Sequence, residues 1–142
     1  MKLTQNLGTV ALVALVVLLA GCSQENENFA PVSGTVTVKG KPQPNLIVSF
    51  LPVTQGEEPA IASSGLTDDQ GRFTLKTTGE DGMEGAMIGQ HQVRIRNRIV
   101  LGAEDAVVPE KSSAVRLPSK ATDGSLTVDV PKEGLDTLTF EL

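Results

Sequence analysis

Gly65-Leu66-Thr67-Asp68-Asp69-Gln70-Gly71-Arg72-Phe73-Thr74-Leu75 decides the fold class. Asp68-Asp69-Gln70-Gly71 has the chemistry of a tight turn: an aspartate can bond its own backbone, and a glycine takes positive φ without steric cost. Residues 61–67 before it read as a weak strand. After it, Arg72-Phe73-Thr74-Leu75-Lys76-Thr77 alternates polar and apolar, which places Phe73 and Leu75 inward. The stretch is a β-hairpin pattern, and it sets the register for reading outward in both directions.

Upstream, Val32-Ser33-Gly34-Thr35-Val36-Thr37-Val38 puts Val32, Val36 and Val38 on one face and Ser33, Thr35 and Thr37 on the other. Lys39-Gly40-Lys41-Pro42 is a turn signal. Leu46-Ile47-Val48-Ser49-Phe50-Leu51 is apolar on both faces, as a central strand is, and Gln55-Gly56-Glu57-Glu58-Pro59 ends it. Downstream, residues 79–85 form an acidic, glycine-rich loop. His91-Gln92-Val93-Arg94-Ile95-Arg96 then alternates again, with His91, Val93 and Ile95 sharing a face.

Residues 97–124 lack periodicity, an unusual length for a loop in a small domain. Ile99-Val100-Leu101 or Ala106-Val107-Val108 are the segments in it expected to pack or form an edge strand. Ser125-Leu126-Thr127-Val128-Asp129-Val130 is a strong strand, and Pro131-Lys132-Glu133-Gly134 turns the chain. Thr137-Leu138-Thr139-Phe140-Glu141-Leu142 closes it with Leu138, Phe140 and Leu142 inward. Seven short strands with no amphipathic helix and no internal repeat predict an all-β fold, a seven-stranded antiparallel β-sandwich.

The N-terminus has a different character. Met1-Lys2 gives a positive start, Val10-Ala11-Leu12-Val13-Ala14-Leu15-Val16-Val17-Leu18-Leu19 is a compact apolar run, and Ala20-Gly21 are small. That is the layout of an export signal, and the run falls short of the roughly 20 residues a spanning helix needs. Leu19-Ala20-Gly21-Cys22 resembles the lipobox of bacterial lipoproteins. The resemblance implies cleavage between Gly21 and Cys22, a diacylglyceryl thioether on the Cys22 sulfur and acylation, of the palmitate kind, of its new amino group. Ser23 in place of aspartate favours the outer over the inner membrane under the sorting rule of that family. Ser23-Gln24-Glu25-Asn26-Glu27-Asn28 is polar and aperiodic, as a tether is. The expected organisation is a signal peptide over 1–21, the lipidated cysteine and tether over 22–30, and the sandwich over 31–142.

Within that last part a family resemblance emerges. Val32-Ser33-Gly34-Thr35-Val36, Gly40-Lys41-Pro42 and Ile47-Val48-Ser49-Phe50 resemble the opening of carboxypeptidase regulatory-like domains, which are transthyretin-like sandwiches of prealbumin type. Residues 65–75 carry the Thr-Asp-x-x-Gly-x-Phe pattern of their hairpin, and Gly89-Gln90-His91-Gln92-Val93 is similar to their next strand, where an aromatic often stands in place of His91. The match covers most of 31–142 and is weakest across 97–116. It implies a Greek-key sandwich and no catalytic residues. The related hydroxyisourate hydrolases use several histidines and a terminal Tyr-Arg-Gly-Ser run, whereas this chain ends in Thr139-Phe140-Glu141-Leu142.

Composition narrows function further. The 142-residue chain carries a formal net charge of -5, with one cysteine, one histidine and no tryptophan or tyrosine. An acidic chain without a visible basic cluster is not expected to bind nucleic acid, and a lone cysteine excludes an internal disulfide. His91 reads as a strand residue filling an inward slot; nothing in the sequence completes a transition-metal set with it. Asp68 and Asp69 read as turn chemistry rather than a Ca²⁺ site, which needs six to eight converging oxygens. Glu80, Asp81 and Glu84 read as a solvated loop. Ser112 and Ser113 lack the surroundings of a nucleophile.

Phe50, Phe73 and Phe140 fall on core faces and Phe29 at the tether boundary, so the usual aromatic platform for sugars is missing. An internal isopeptide bond is excluded because the inward positions of the first and last strands are apolar. No enzyme activity and no cofactor are expected. The expected function is a membrane-anchored, non-catalytic interaction or structural module of the cell envelope. It would be held by the lipid on Cys22 and meet an envelope protein or polymer through a sheet edge or the 97–124 loop. The alternative is a carrier of a small ligand or Ca²⁺.

Overall fold

Alternation along each long strand sets which side chains meet, and the faces read from the sequence are the faces observed. The computed structural model describes residues 27–53, 59–79, 82–99 and 114–142. The export signal, Gly21 and Cys22 lie outside the described residues, as do Ala106-Val107-Val108.

The strands are β1 (Phe29–Ala30), β2 (Val32–Val38), β3 (Lys41–Pro42), β4 (Leu46–Pro52), β5 (Ser63–Leu66), β6 (Arg72–Thr74), β7 (Lys76–Thr77), β8 (Ala86–Met87), β9 (Gly89–Asn97), β10 (Leu126–Val130) and β11 (Leu135–Glu141). Among the described residues one short helix, α1 (Ser119–Thr122), precedes β10.

The molecule is all-β in character. A five-stranded antiparallel sheet has the order β10-β9-β4-β5-β7, and a second sheet has the order β11-β2-β3 with β6 also paired to β2. β4 lies inside the larger sheet, as its apolar faces require. Val32 and Val36 of β2, Leu46, Val48 and Phe50 of β4, and Val93 and Ile95 of β9 are all buried in one cluster shared by both sheets. Phe140 links them, edge-on to Phe50 at 6.5 Å and stacked on Phe73 at 6.1 Å. Fully burying aromatic and branched side chains of this size contributes about 1.5–3 kcal/mol each relative to exposure.

Four features depart from the sequence reading. First, β11 runs parallel to β2, with Phe140 beside Val36 and a register shift between Leu135 and Leu138. The expected antiparallel arrangement fails here because β10 belongs to the other sheet. The turn after it delivers Leu135 to Pro31, where its N–H donates to the Pro31 carbonyl at 2.8 Å, so β11 starts beside the start of β2.

Second, the arms of the hairpin that opens the sequence reading separate. β6 pairs with β2 in one sheet, β7 pairs with β5 in the other, and the fully buried Leu75 is the crossing point. The Leu75 N–H donates to Val32 and its carbonyl accepts from Gly85, at 2.9 and 2.8 Å. The crossing requires Gly65, since a Cβ there would collide with the Thr74 carbonyl oxygen.

Third, short strands occur where turn or tether was expected. Lys39 and Gly40 make the turn, with φ of 50° and 76°, but Lys41–Pro42 already pair with β2. Phe29–Ala30 pair with Ala86–Met87, so strand pairing takes in the end of the expected tether. Fourth, the aperiodic 97–124 region contains α1, whose Ala121 is fully buried and whose neighbour Leu117 packs on the core. Of the segments expected to pack or form an edge strand only Ile99 is described, and it is 80% exposed.

The strands define two ends. Phe29, Pro52, Gly89, Val130 and Leu135 gather where the N-terminal segment enters. The opposite end holds the 39–45 and 67–71 turns, Asn97 and Arg98, the last bonded through its N–H to the Asn45 carbonyl at 2.9 Å.

Candidate functional site

His91 sits on the inner face of β9, beside Pro52 of β4 and Val128 of β10, and is 1% exposed. Its Nδ1 lies 2.9 Å from the Gly89 carbonyl oxygen. A carbonyl only accepts, so Nδ1 carries the proton and Nε2 is a bare lone pair. Nε2 is buried without a partner among the described residues, and the Phe50 ring packs against the imidazole at 5.6 Å. Burial pushes the pKa below the ordinary 6.5, with the Gly89 carbonyl and Asp129 opposing. A shielded, weakly basic ring cannot reach a substrate proton. Among the described residues, no three His, Cys, Asp or Glu side chains group as metal ligands do.

The 68–71 turn is self-contained. Asp68 Oδ1 accepts from the Gln70 and Arg72 N–H groups, both at 2.9 Å, and Oδ2 accepts from Arg72 Nε at 3.0 Å. The Arg72 backbone N–H is the largest influence holding this carboxyl below the usual range. Gly71 supplies a φ of 72°. Thr67 anchors the turn to β4 by accepting the Leu46 N–H at 2.9 Å. Both Asp68 oxygens are therefore occupied by the turn itself. Asp69 is exposed, and Glu84 pairs loosely with Lys76 at 3.8 Å. Glu80, Asp81, Ser112 and Ser113 lie outside the described residues. Phe50, Phe73 and Phe140 are core residues, and Phe29 is partly buried on β1.

The surfaces carry more than the interior. On the outer side of the smaller sheet is a shallow groove of about 770 Å³, walled by the hydroxyl-bearing Ser33, Thr35, Thr74, Thr137 and Thr139. On the larger sheet, Arg94 and Arg96 are exposed on β9 and Arg98 follows it. Ser49 and Ser64 stand in register with Arg94, and Ile47 and Leu66 with Arg96. Asn97 then draws in a remote segment: its Nδ2 donates to the Val115 carbonyl and its Oδ1 accepts the Val115 N–H, both at 3.0 Å. That two-way clamp sets Arg116 beside the β9 end. Arg96, Arg98 and Arg116 form no ion pair among the described residues.

The sequence reading missed this basic corner. Its visible signal was the alternation Arg94-Ile95-Arg96-Asn97-Arg98; the addition of Arg116 depends on a tertiary bond. Among the described residues no helix is long and apolar enough to cross a membrane. No family model, no curated protein and no solved structure matches this chain.

Proposed function

We propose that this chain is an envelope lipoprotein: a prealbumin-type Greek-key sandwich with no catalytic role, displayed on lipid through Cys22. The fold reading is supported by the order β9-β4-β5-β7, in which β4, β5 and β7 lie side by side, with β6 crossing to the other sheet between the last two, and β9 returns beside β4. The lipid reading rests on the apolar run and the Leu19-Ala20-Gly21-Cys22 sequence.

One observation carries the functional reading. Phe29–Ala30, directly after the polar segment, are paired to Ala86–Met87 at one end of the sandwich. Residues 23–28 span at most about 22 Å even when fully extended, so the entry end stays near the lipid and the opposite end faces outward. A single acyl chain gives only marginal binding, whereas two or three make the anchor stable.

Intact-mass analysis of the native protein and of Cys22→Ser tests the anchor. The expected result is an acyl mass excess in the native chain that is absent in the variant, with the native chain entering the detergent phase of a detergent-split extract. A native mass lacking acyl groups, or recovery in the aqueous phase, would overturn the reading.

A further inference from the structure

We propose that the corner formed by Arg96, Arg98 and Arg116, on the end of the sandwich away from the tether, binds an anionic polysaccharide. This rests on the envelope-display reading. The described charges are unevenly spread. Glu27, Glu84, Asp129 and Glu133 lie toward the tether entry with Lys132, whereas Lys39, Lys41, Arg72 and the three arginines lie toward the other end, where Asp68, Asp69 and Glu141 offset only part of their charge.

Among the described residues, the nearby carboxylates do not answer the arginines. Asp68 is taken by Arg72, and Asp123 accepts the Ser125 N–H at 2.8 Å and lies in the field of Arg94. Guanidinium groups grip carboxylates bidentately, so unanswered arginines at an outward end are complementary to a negatively charged chain.

The chemistry around them selects the class of chain. Protein interfaces are centred on buried aromatic or arginine anchors set in packed pockets. Here the three arginines are exposed rather than seated in a pocket, and no aromatic stands beside them: the chain has no tyrosine or tryptophan, and Phe50, Phe73 and Phe140 are buried. Neutral sugars would find no ring to stack on. A polysaccharide bearing carboxylates needs none: the arginines hold its charge, and Ser49, Ser64 and Gln92 along the same face offer hydrogen bonds to its hydroxyls. A lipid headgroup is disfavoured because the arginines stand at the end away from the tether.

The test uses the full mature chain in non-ionic detergent, with polygalacturonate as probe and its methyl ester, poly-glutamate and anionic vesicles as comparators. Binding to polygalacturonate is expected, with none to the ester. The combined variant Arg96→Gln, Arg98→Gln, Arg116→Gln should weaken it at least about tenfold and flatten its salt dependence, while Lys132→Gln leaves it unchanged. All three arginines are exposed, so thermal unfolding of the variant should match the parent.

Equal binding by the triple variant, equal binding of poly-glutamate, or preference for vesicles would each overturn the proposal. Measuring Cys22→Ser in parallel separates the readings: loss of anchoring changes the mass and partitioning, and loss of this site changes only the polysaccharide titration.

Discussion

Replacing His91 by phenylalanine should stabilise the protein, and most at mildly acid pH. The imidazole is fully enclosed and its Nε2 has no described partner. Such an orphaned group costs about 1–3 kcal/mol, and the Nδ1 bond to Gly89 that the variant loses returns about 0.5–1.5 kcal/mol. The net is about 1 kcal/mol in favour of His91→Phe near neutral pH, a rise in Tm of about 3–5 °C for a domain of this size. The ring of a phenylalanine also suits the contact with Phe50, whose centroid is 5.6 Å away.

Protonation adds a second, independent signature. The folded pKa of His91 lies below the unfolded value of 6.5 because burial opposes the charge. Below pH 6.5 the unfolded chain therefore binds more protons than the folded one, and stability falls as pH falls until the folded pKa is passed. Asp129, on the neighbouring strand, reduces this loss without reversing it. Asp68 and Asp123 have folded values below 3.8, so their losses begin only at lower pH.

Thermal unfolding followed by circular dichroism between about pH 7.5 and pH 5 isolates the histidine. The parent should lose Tm across this window, and the gap to His91→Phe should widen. Parallel curves, or a variant several degrees less stable at neutral pH, would refute the picture of a neutral ring enclosed without a partner.

Phe50→Ala removes the aromatic that bridges His91 and Phe140 and should cost about 3–5 kcal/mol, read as a lowered urea midpoint. Asn97→Ala breaks both bonds to Val115 and should cost about 1–3 kcal/mol; amide exchange at Val115 should quicken while Val93 stays protected. In Asp68→Ala the turn loses a carboxylate whose contribution is present above pH 3.8 and lost as pH falls through its lowered folded value. Its Tm should drop at neutral pH, and the difference from the parent should shrink in strong acid. Gly65→Ala forces a Cβ against the Thr74 carbonyl and should cost at least about 1–3 kcal/mol, read by denaturant titration.

Alternation made much of the fold legible. Val32, Val36, Val38, Phe73, Leu75, His91, Val93 and Ile95 were assigned inward from period two, and all are buried. The Asp68–Gly71 turn was legible because its bonds are local. Pairing partners were not, because a strand's side-chain pattern names its buried face and leaves its neighbour undetermined. The parallel pairing of β11 with β2 and the split of β6 from β7 are decided by where turns deliver the chain. α1 escaped notice because four residues are too few to show a helical period, and Ala121 is the only residue in it that is buried. The basic corner escaped notice for a related reason: Arg116 joins it through Asn97, a bond between residues far apart in sequence.

The crossing at Leu75 has a consequence for how the two sheets come apart. A structure of two stacked layers can in principle open like a book, with each leaf remaining intact. Here a single run of backbone is stitched into one leaf through Phe73 and Gly34 and into the other through Thr77 and Ser63, with the enclosed Leu75 as the stitch. Parting the leaves must first unpick ladder bonds in at least one of them, so loosening of the interior and fraying of the sheets become a single event.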